Sequence, residues 1–490
     1  MSIVLFSLLL GIPFASAIVC AVSPGRKFVE GVTIVGTGLT FALSFVLTAV
    51  ILRPSVLSSP AGFFYADALS ALLVVIITGS AFATALYSIG YLNAQVALGN
   101  LPEQQLRLYY PLLNVFLFTM NLVLLSNNLG FLWIGMEATT LATAFLVAFY
   151  DTQRSLEAAW KYVIICSVGI ALALFGVILT YYSSITVAGS GTASLLWTSL
   201  MTVAKRLDPA ILKLAYVFVF IGFGTKAGLA PMHTWKPDAY GEAPAPISGL
   251  MAGGLVNVSL YALIRFTALV NKAVGHEFTS TLLIVFGLGS IIIAVPFILI
   301  QRNIKRLLAY SSVEHVGIIA FALGLATPLA YTGALLHMLN NAIVKLLLFF
   351  AAGNLRLTYH TKIIRRIGGA IKVVPFTATI FFIGIFAVTG WPPFGLFVSE
   401  FTIAMAGFAD GQGWTTAVFL VGVATVFAGF IYYGSKMIFG DAAGKQRQQD
   451  SNTLTRILLA VMVLILFCFG LFIPGPLMRL LRNATTVLAG

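Results

Sequence analysis

Several of the few charged residues in this sequence stand inside long apolar runs. Glu137 lies in Gly130-Phe-Leu-Trp-Ile-Gly-Met-Glu137-Ala-Thr-Thr140, Lys226 in Phe223-Gly-Thr-Lys226-Ala-Gly228, and Glu400 closes Val388-Thr-Gly-Trp-Pro-Pro-Phe-Gly-Leu-Phe-Val-Ser-Glu400. His337, Asn341 and Lys345 recur every four residues, so they line one face of a helix. Glu314 and His315 interrupt another apolar run. Such groups can pass protons. An amine withdrawn from water gives up its proton more readily than one in solution, and a nearby carboxylate holds that proton on. If Glu137 approaches Lys226, the proton stays; if the pair loosens, it moves through water and the His337/Lys345 stripe toward Glu400. The path so defined is Glu137, Lys226, His315, His337, Lys345 and Glu400, with His233, Asn257, Glu314, Asn341 and Asp67 as further candidates.

Each residue also has a static reading. Glu137 and Lys226 would make a fixed ion pair, although buried pairs contribute little to stability. His337 would be a satisfied core histidine, and Glu314 and His315 would lie at the membrane edge. Asp67 stands near a helix start, where a carboxylate caps free N–H groups. His233, close to Pro231, would pack in a helix break or line it.

The elements that hold these groups are set by hydrophobicity. The chain has 490 residues, 60% of them apolar and 9% charged, where a soluble domain carries roughly 25% charged residues. A water-facing globule is excluded. Apolar stretches of spanning length follow one another almost end to end, about fourteen of them at roughly 20 residues each, giving an all-α polytopic membrane protein. The first apolar run has no basic start, and Arg26 and Lys27 come after it, so it is expected to stay as a span rather than leave as a signal peptide. Cys20, Cys166 and Cys468 lie far apart in apolar runs and suggest neither a zinc nor an iron–sulfur site. No metal and no cofactor is expected in this chain. No Ser/His/Asp set, phosphate-binding loop or dinucleotide fingerprint is present, so redox chemistry, if involved, sits on another subunit.

A net charge of +13 raises the question of nucleic acid, but the basic residues fall mostly in alternate loops. Only Lys226 and Lys345 are assigned to spans. The positive-inside rule then puts both termini outside and the basic loops in the cytoplasm. The densest cluster, Arg356, Lys362, Arg365, Arg366 and Lys372, suits lipid headgroups or a peripheral partner.

Two segments, 211–240 and 373–408, are punctuated alike by glycine and proline. Proline breaks a helix, and in hydrocarbon a break persists only where protein or a water-filled cavity satisfies the freed groups. Matched breaks five spans apart mark an inverted repeat whose breaks line an ion path. The expected division of the single membrane domain is 1–107 for three N-terminal helices, 108–268 for the first repeat (helices 4–8), 278–439 for the second (helices 9–13), and 440–490 for a cytoplasmic loop and the last helix. Helices 7 and 12 are the broken ones. The loop before the last helix holds the longest polar stretch, with Gln446, Arg447, Gln448, Gln449 and Asp450.

The motifs together resemble the antiporter-like subunits shared by respiratory complex I, Mrp-type sodium/proton antiporters and the group 4 membrane-bound hydrogenases. The segments concerned are Gly135-Met-Glu137, Thr225-Lys226-Ala227 with Pro231-Met-His-Thr-Trp-Lys-Pro-Asp238, Ala243-Pro-Ala-Pro-Ile-Ser-Gly249, Ala309-Tyr-Ser-Ser312, His337 to Lys345, and Trp391-Pro-Pro-Phe-Gly395 with Glu400. Leu156 to Leu174 and Ser312-Val-Glu-His-Val-Gly317 look most like component F of hydrogenase-4 and formate hydrogenlyase. The resemblance implies a modulating role for Glu137, a central lysine at Lys226, a connecting lysine at Lys345 and an output end at Glu400. It also implies a bacterial or archaeal cell membrane, lipid contacts, and partner subunits carrying iron–sulfur and nickel–iron centres. The Mrp-type antiporter is the alternative, and a membrane anchor with vestigial charges a third reading. Some relatives carry a lysine in the eighth span where this chain has Asn257, so the link between Lys226 and Lys345 would fall to water, His315 or His337.

Overall fold

The computed structural model describes residues 2–23, 25–53, 56–188, 195–441 and 450–489. Gln446, Arg447, Gln448 and Gln449 lie outside the described residues. The chain opens with α1 (Ser2–Val22) and α2 (Arg26–Ile51), a small antiparallel hairpin of β1 (Val56–Ser58) and β2 (Tyr65–Asp67), and α3 (Ala68–Ala97). Next come α4 (Leu106–Leu125), α5 (Leu129–Val147), α6 (Gln153–Ala188), the short α7 (Trp197–Val203), α8 (Pro209–Ala227) and α9 (Trp235–Glu242). Helix α10 (Ala245–Leu250) runs through a π-helical turn, Met251–Leu255, into α11 (Val256–Val274). The remainder is α12 (Glu277–Leu299), α13 (Ile304–Gly324), α14 (Pro328–Tyr359), α15 (Ala370–Val373), α16 (Pro375–Val388), α17 (Gly395–Ala409), α18 (Gly413–Phe439), α19 (Thr453–Leu471) and α20 (Gly475–Ala489).

Among the described residues, 13 helices are long and apolar enough to cross a membrane. Helices α16 and α17, of 14 and 15 residues, together have the length of one more. The protein is therefore an all-helical, multi-pass membrane protein. Helices α11, α13 and α14 are buried on nearly every side, whereas α12, α18 and α19 keep an apolar face outward. A helix apolar all round belongs at the centre, and the residues singled out above sit mainly on these central helices or on the breaks beside them.

Both breaks follow from local chemistry. Helix α8 stops at Gly228, whose φ of 80° lets its N–H turn back to Gly224 O and Thr225 O at 2.8 and 3.0 Å. This is a left-handed glycine cap. The chain then passes Pro231 and restarts as α9. Helix α16 stops before Gly390, φ 64°, and Pro392 and Pro393 keep the chain from resuming until Gly395. Both breaks contain a cis X–Pro bond, at Ala230–Pro231 and Pro392–Pro393.

Small residues bring neighbouring backbones together. A Cβ on Gly222 of α8 would lie 2.5 Å from Gly169 O of α6, and one on Gly287 of α12 would lie 2.6 Å from Phe321 N of α13. Glycine at such crossings allows the close approach typical of helix pairs in lipid.

Some elements depart from the sequence expectation. Residues after the last span form α20, which lays Leu480, Leu481, Ala484 and Leu488 against α3, α11 and α14. Lys236, Lys305 and Arg265, assigned above to loops, are buried inside the protein at 0, 0 and 2% exposure, because α9 folds inward, α13 starts deeper and α11 runs on past Arg265. Arg265 meets Asp67 in two hydrogen bonds of 2.6 and 2.7 Å, with its guanidinium 4.4 Å from the Trp197 ring. Asp67 also caps α3 by accepting from Ser70 N at 3.0 Å. One carboxylate thus ties the hairpin, α3, α7 and α11 together. Removing one partner of such a pair strands the other charge, so Asp67→Ala is expected to lower stability by about 3–5 kcal/mol. The check is thermal unfolding of the purified assembly, and an unchanged midpoint would contradict the clamp.

Candidate functional site

The site begins on α5. Glu137 is half-buried on α5, and its carboxylate accepts from Ser167 Oγ of α6 at 2.7 Å and Thr140 Oγ1 at 3.3 Å. Lys226, in the last turn of α8, is fully buried. Its Nζ donates to Thr140 Oγ1 at 2.7 Å and to Tyr162 OH at 2.8 Å. No salt bridge joins Glu137 to Lys226: the Thr140 hydroxyl stands between them, accepting from the lysine and donating to the glutamate. The expected pair is therefore a relay of three groups. Tyr162 continues the network to Thr143 at 2.6 Å.

Across the centre, Lys345 of α14 is fully buried and donates to Ser311 Oγ of α13 at 2.6 Å. Glu314, one turn on from Ser311, interacts with both Ser311 and Lys345. Glu314 and His315, at 2 and 0% exposure, are deep in the fold and not at its edge. His315 Nδ1 lies 2.8 Å from His337 Nε2, and His337 Nδ1 lies 3.0 Å from Ser399 Oγ. An imidazole bonded through both nitrogens can take a proton on one side and release it on the other. Glu400 follows Ser399 on α17, and its carboxylate rests on Gly390, where an added Cβ would fall 2.0 Å from Oε2.

Ligand atoms of His315, His337 and Glu400 all lie within 4.8 Å of one another, a donor set that fits a transition metal ion. The His315–His337 hydrogen bond and the neighbouring Lys345 ammonium oppose a dication there.

The further candidates fall differently. Asn341 is buried on the Lys345 face, with Oδ1 lacking a protein partner. Asn257 Nδ2 donates to Gly253 O at 2.8 Å and Met338 O at 3.3 Å, beside His337, and its Oδ1 is likewise unpartnered. His233 sits in the first break against the Tyr310 ring, without a partner for Nδ1. Asp67 is held in its pair with Arg265. Sequence reasoning passed over the hydroxyls that make the links, namely Thr140, Tyr162, Ser167, Ser311 and Ser399. It also passed over Lys236, whose signal was a lysine between Trp235 and Pro237 in an apolar break.

Fold and site together define a polytopic antiporter-like membrane subunit. Residues 126–428 match the family described as NADH:quinone oxidoreductase/Mrp antiporter, transmembrane region. The chain is 37% identical over 431 residues to the hydrogenase-4 component F homolog of Methylacidiphilum infernorum (isolate V4), spanning 88% of this chain and 89% of that protein. Its structure matches a chain of the membrane-bound sulfane sulfur reductase, an archaeal respiratory membrane complex, with a TM-score of 0.89, 25% identity and 100 and 98% coverage. A chain of the Mrp complex from Dietzia sp. DQ12-45-1b shares the fold, with a TM-score of 0.85, 18% identity and 98 and 97% coverage. The protein belongs to the NADH:quinone oxidoreductase/Mrp antiporter family.

Because Gly390 has both a positive φ and the Glu400 carboxylate against it, Gly390→Ala is expected to lower stability by about 1–3 kcal/mol and to push Glu400 away from the histidines. Thermal unfolding of the purified assembly measures this, and a wild-type midpoint would contradict the packing.

Proposed function

We propose that this chain is the proton-translocating, antiporter-like membrane subunit of a multisubunit respiratory oxidoreductase of the group 4 hydrogenase or complex I type. The observation that carries the reading is the buried polar band from Glu137 to Glu400. Each ionisable group at the bilayer centre costs about 2.5–3.5 kcal/mol on insertion scales, and buried polar atoms normally find partners. Here Asn257 Oδ1, Ser312 Oγ, Glu314 Oε2, His315 Nε2 and Asn341 Oδ1 are all buried without a protein partner. Groups of this kind in polar surroundings are satisfied by water, and hydroxyls, imidazoles and water between lysines and carboxylates make a proton wire.

In this reading Glu137 modulates Lys226, Lys226 is the central exchange site, Lys345 and Glu314 connect, and the His315–His337 pair hands protons to Glu400. Adjacent helices pack in the same sequence in both halves, α4 to α11 and α12 to α18, each with one broken member. That supports two repeats of opposite orientation over 108–268 and 278–439. The basic loops face the cytoplasm, both termini face outward, and metal centres reside on partner subunits, iron–sulfur and nickel–iron among them. The second reading, an Mrp-type sodium/proton antiporter subunit, is favoured by the fold shared with the Mrp complex.

Two measurements test this. Purification from native membranes is expected to bring down iron–sulfur or nickel–iron subunits; small hydrophobic antiporter chains alone would select the second reading. In vesicles carrying the assembled complex, Lys226→Met and Glu400→Gln are expected to lower proton uptake about a hundredfold, the usual scale for loss of a positioned acid or base, while redox turnover persists. Wild-type uptake in both would leave this subunit a mere anchor.

A further inference from the structure

Lys236 is a third lysine of the membrane interior, and neither the family comparison nor the motif reading gives it a role. It is fully buried, its Nζ has no protein hydrogen-bond partner, and it forms no salt bridge among the described residues. An unpaired amine in such a place is costly. A core position selected only for packing would hold an apolar side chain of similar length.

Its location is specific. The side chain lies across Gly228, the cap of the first break, where an added Cβ would meet Cε at 2.3 Å and Nζ at 2.8 Å. Gly228 is two residues beyond Lys226. The adjacent Trp235 packs its ring 4.8 Å from that of Tyr162, the phenol that accepts from Lys226, and bonds Thr225 O through Nε1 at 2.9 Å. Cys166, one turn along α6 from Tyr162, lies within electrostatic reach of Glu137, Lys226 and Lys236 alike. On its other side Lys236 lies within electrostatic reach of Lys345. Its Nζ is 6.0 Å from the centre of the Tyr240 ring, which meets Phe349, one turn from Lys345, at 5.9 Å. Tyr240 OH is also buried without a protein partner. Buried polar groups without a protein partner, as Lys236 Nζ and Tyr240 OH are, are ordinarily satisfied by water.

The scaffold fixes this position. Helix α9 is anchored in its first turn by Asp238 to Arg306 at 2.5 Å and at its far end by Glu242 to Lys362 at 2.5 Å. Pro237 follows Lys236 directly, so the lysine is presented by a short, rigid helix rather than a loop. Asn257 of α11 has its amide tied to Gly253 and Met338 and carries no titratable group.

We infer that Lys236 is the proton-carrying station between Lys226 and Lys345, taking the place that Asn257 leaves empty of a base. A proton arriving from Lys226, with Tyr162 and water as links, occupies the Lys236 amine and leaves toward Lys345 and Ser311. Neighbouring ammonium groups repel at short range in a low-dielectric interior, so a proton reaching one lysine drives departure from the next. This inference rests on the proton-pump reading, and its test separates the two.

The experiment uses vesicles carrying the intact complex, with protons moved per electron transferred as the readout. Lys236→Met and Lys236→Gln, both neutral and close in length, are compared with Lys226→Met. The expected result is a proton-to-electron ratio about a hundredfold down in all three, with redox turnover retained and a melting midpoint of the Lys236 variants at or above that of wild type, since an unpaired buried amine has been removed. Wild-type ratios in both Lys236 variants, with Lys226→Met inactive, would overturn the station and leave the pump reading intact. Wild-type ratios in all three would overturn the pump reading itself. A melting midpoint well below wild type in both Lys236 variants would show the amine to be structural and likewise overturn the station.

Discussion

Lys226 holds its ammonium between two neutral hydroxyls, with the Glu137 carboxylate one group further away. Taking a lone charge out of water costs several kcal/mol even after relaxation, and Thr140 and Tyr162 satisfy two of the three N–H donors. The end of α8 supplies further support. Carbonyls at a helix C-terminus carry partial negative charge, and Lys226 sits in the last turn before the Gly228 cap. The break therefore does more than interrupt a span, because it brings the negative end of a helix beside a cation in the middle of the protein. A carboxylate in direct contact would hold the proton too firmly for exchange, and no support at all would forbid the charge. The observed arrangement lies between these extremes, and the rest of the site is built around it.

The second half meets the same problem with different chemistry. Lys345 is steadied by one hydroxyl and a carboxylate a turn away, and the proposed route outward passes through two imidazoles. A histidine bonded at both nitrogens must change tautomer between successive protons, so its throughput depends on both neighbours being ready. Ser399 and Glu400, adjacent on the first turns of α17, keep the acceptor side in register with His337. The pocket that Gly390 leaves open for the Glu400 carboxylate is as much a part of this arrangement as the glutamate itself.

Much of the architecture was legible in the sequence, and the reasons are physical. A helix that crosses hydrocarbon must be apolar over its length, so spans announce themselves, and glycine and proline mark where two of them stop. The His337/Lys345 stripe follows from helical periodicity. What escaped was whatever depends on where a side chain points. Lys236 and Arg265 look like loop charges when residues are sorted by hydropathy, because a helix folded inward and a helix running past the apolar stretch both appear as polar flanks. Helix α20, with Arg479 and Arg482 among leucines, is too short and too mixed to register as a span, although it packs on three central helices. The direct Glu137–Lys226 pair anticipated from residue types gave way to a bridged one, since a threonine hydroxyl has no distinctive signature in an apolar run.

The glycine crossings bear on how the molecule works. Where α6 meets α8 and where α12 meets α13, a glycine of one helix packs against the backbone of the other, so relative movement of either pair would disturb a close backbone contact. Transport schemes that swing one bundle against another ask for such movement at their interface. Amines on flexible stems, rotating hydroxyls and solvent all reorient far faster than packed helices shift. Under the proposed function, alternation between the two sides of the membrane becomes a matter of which wire is momentarily complete.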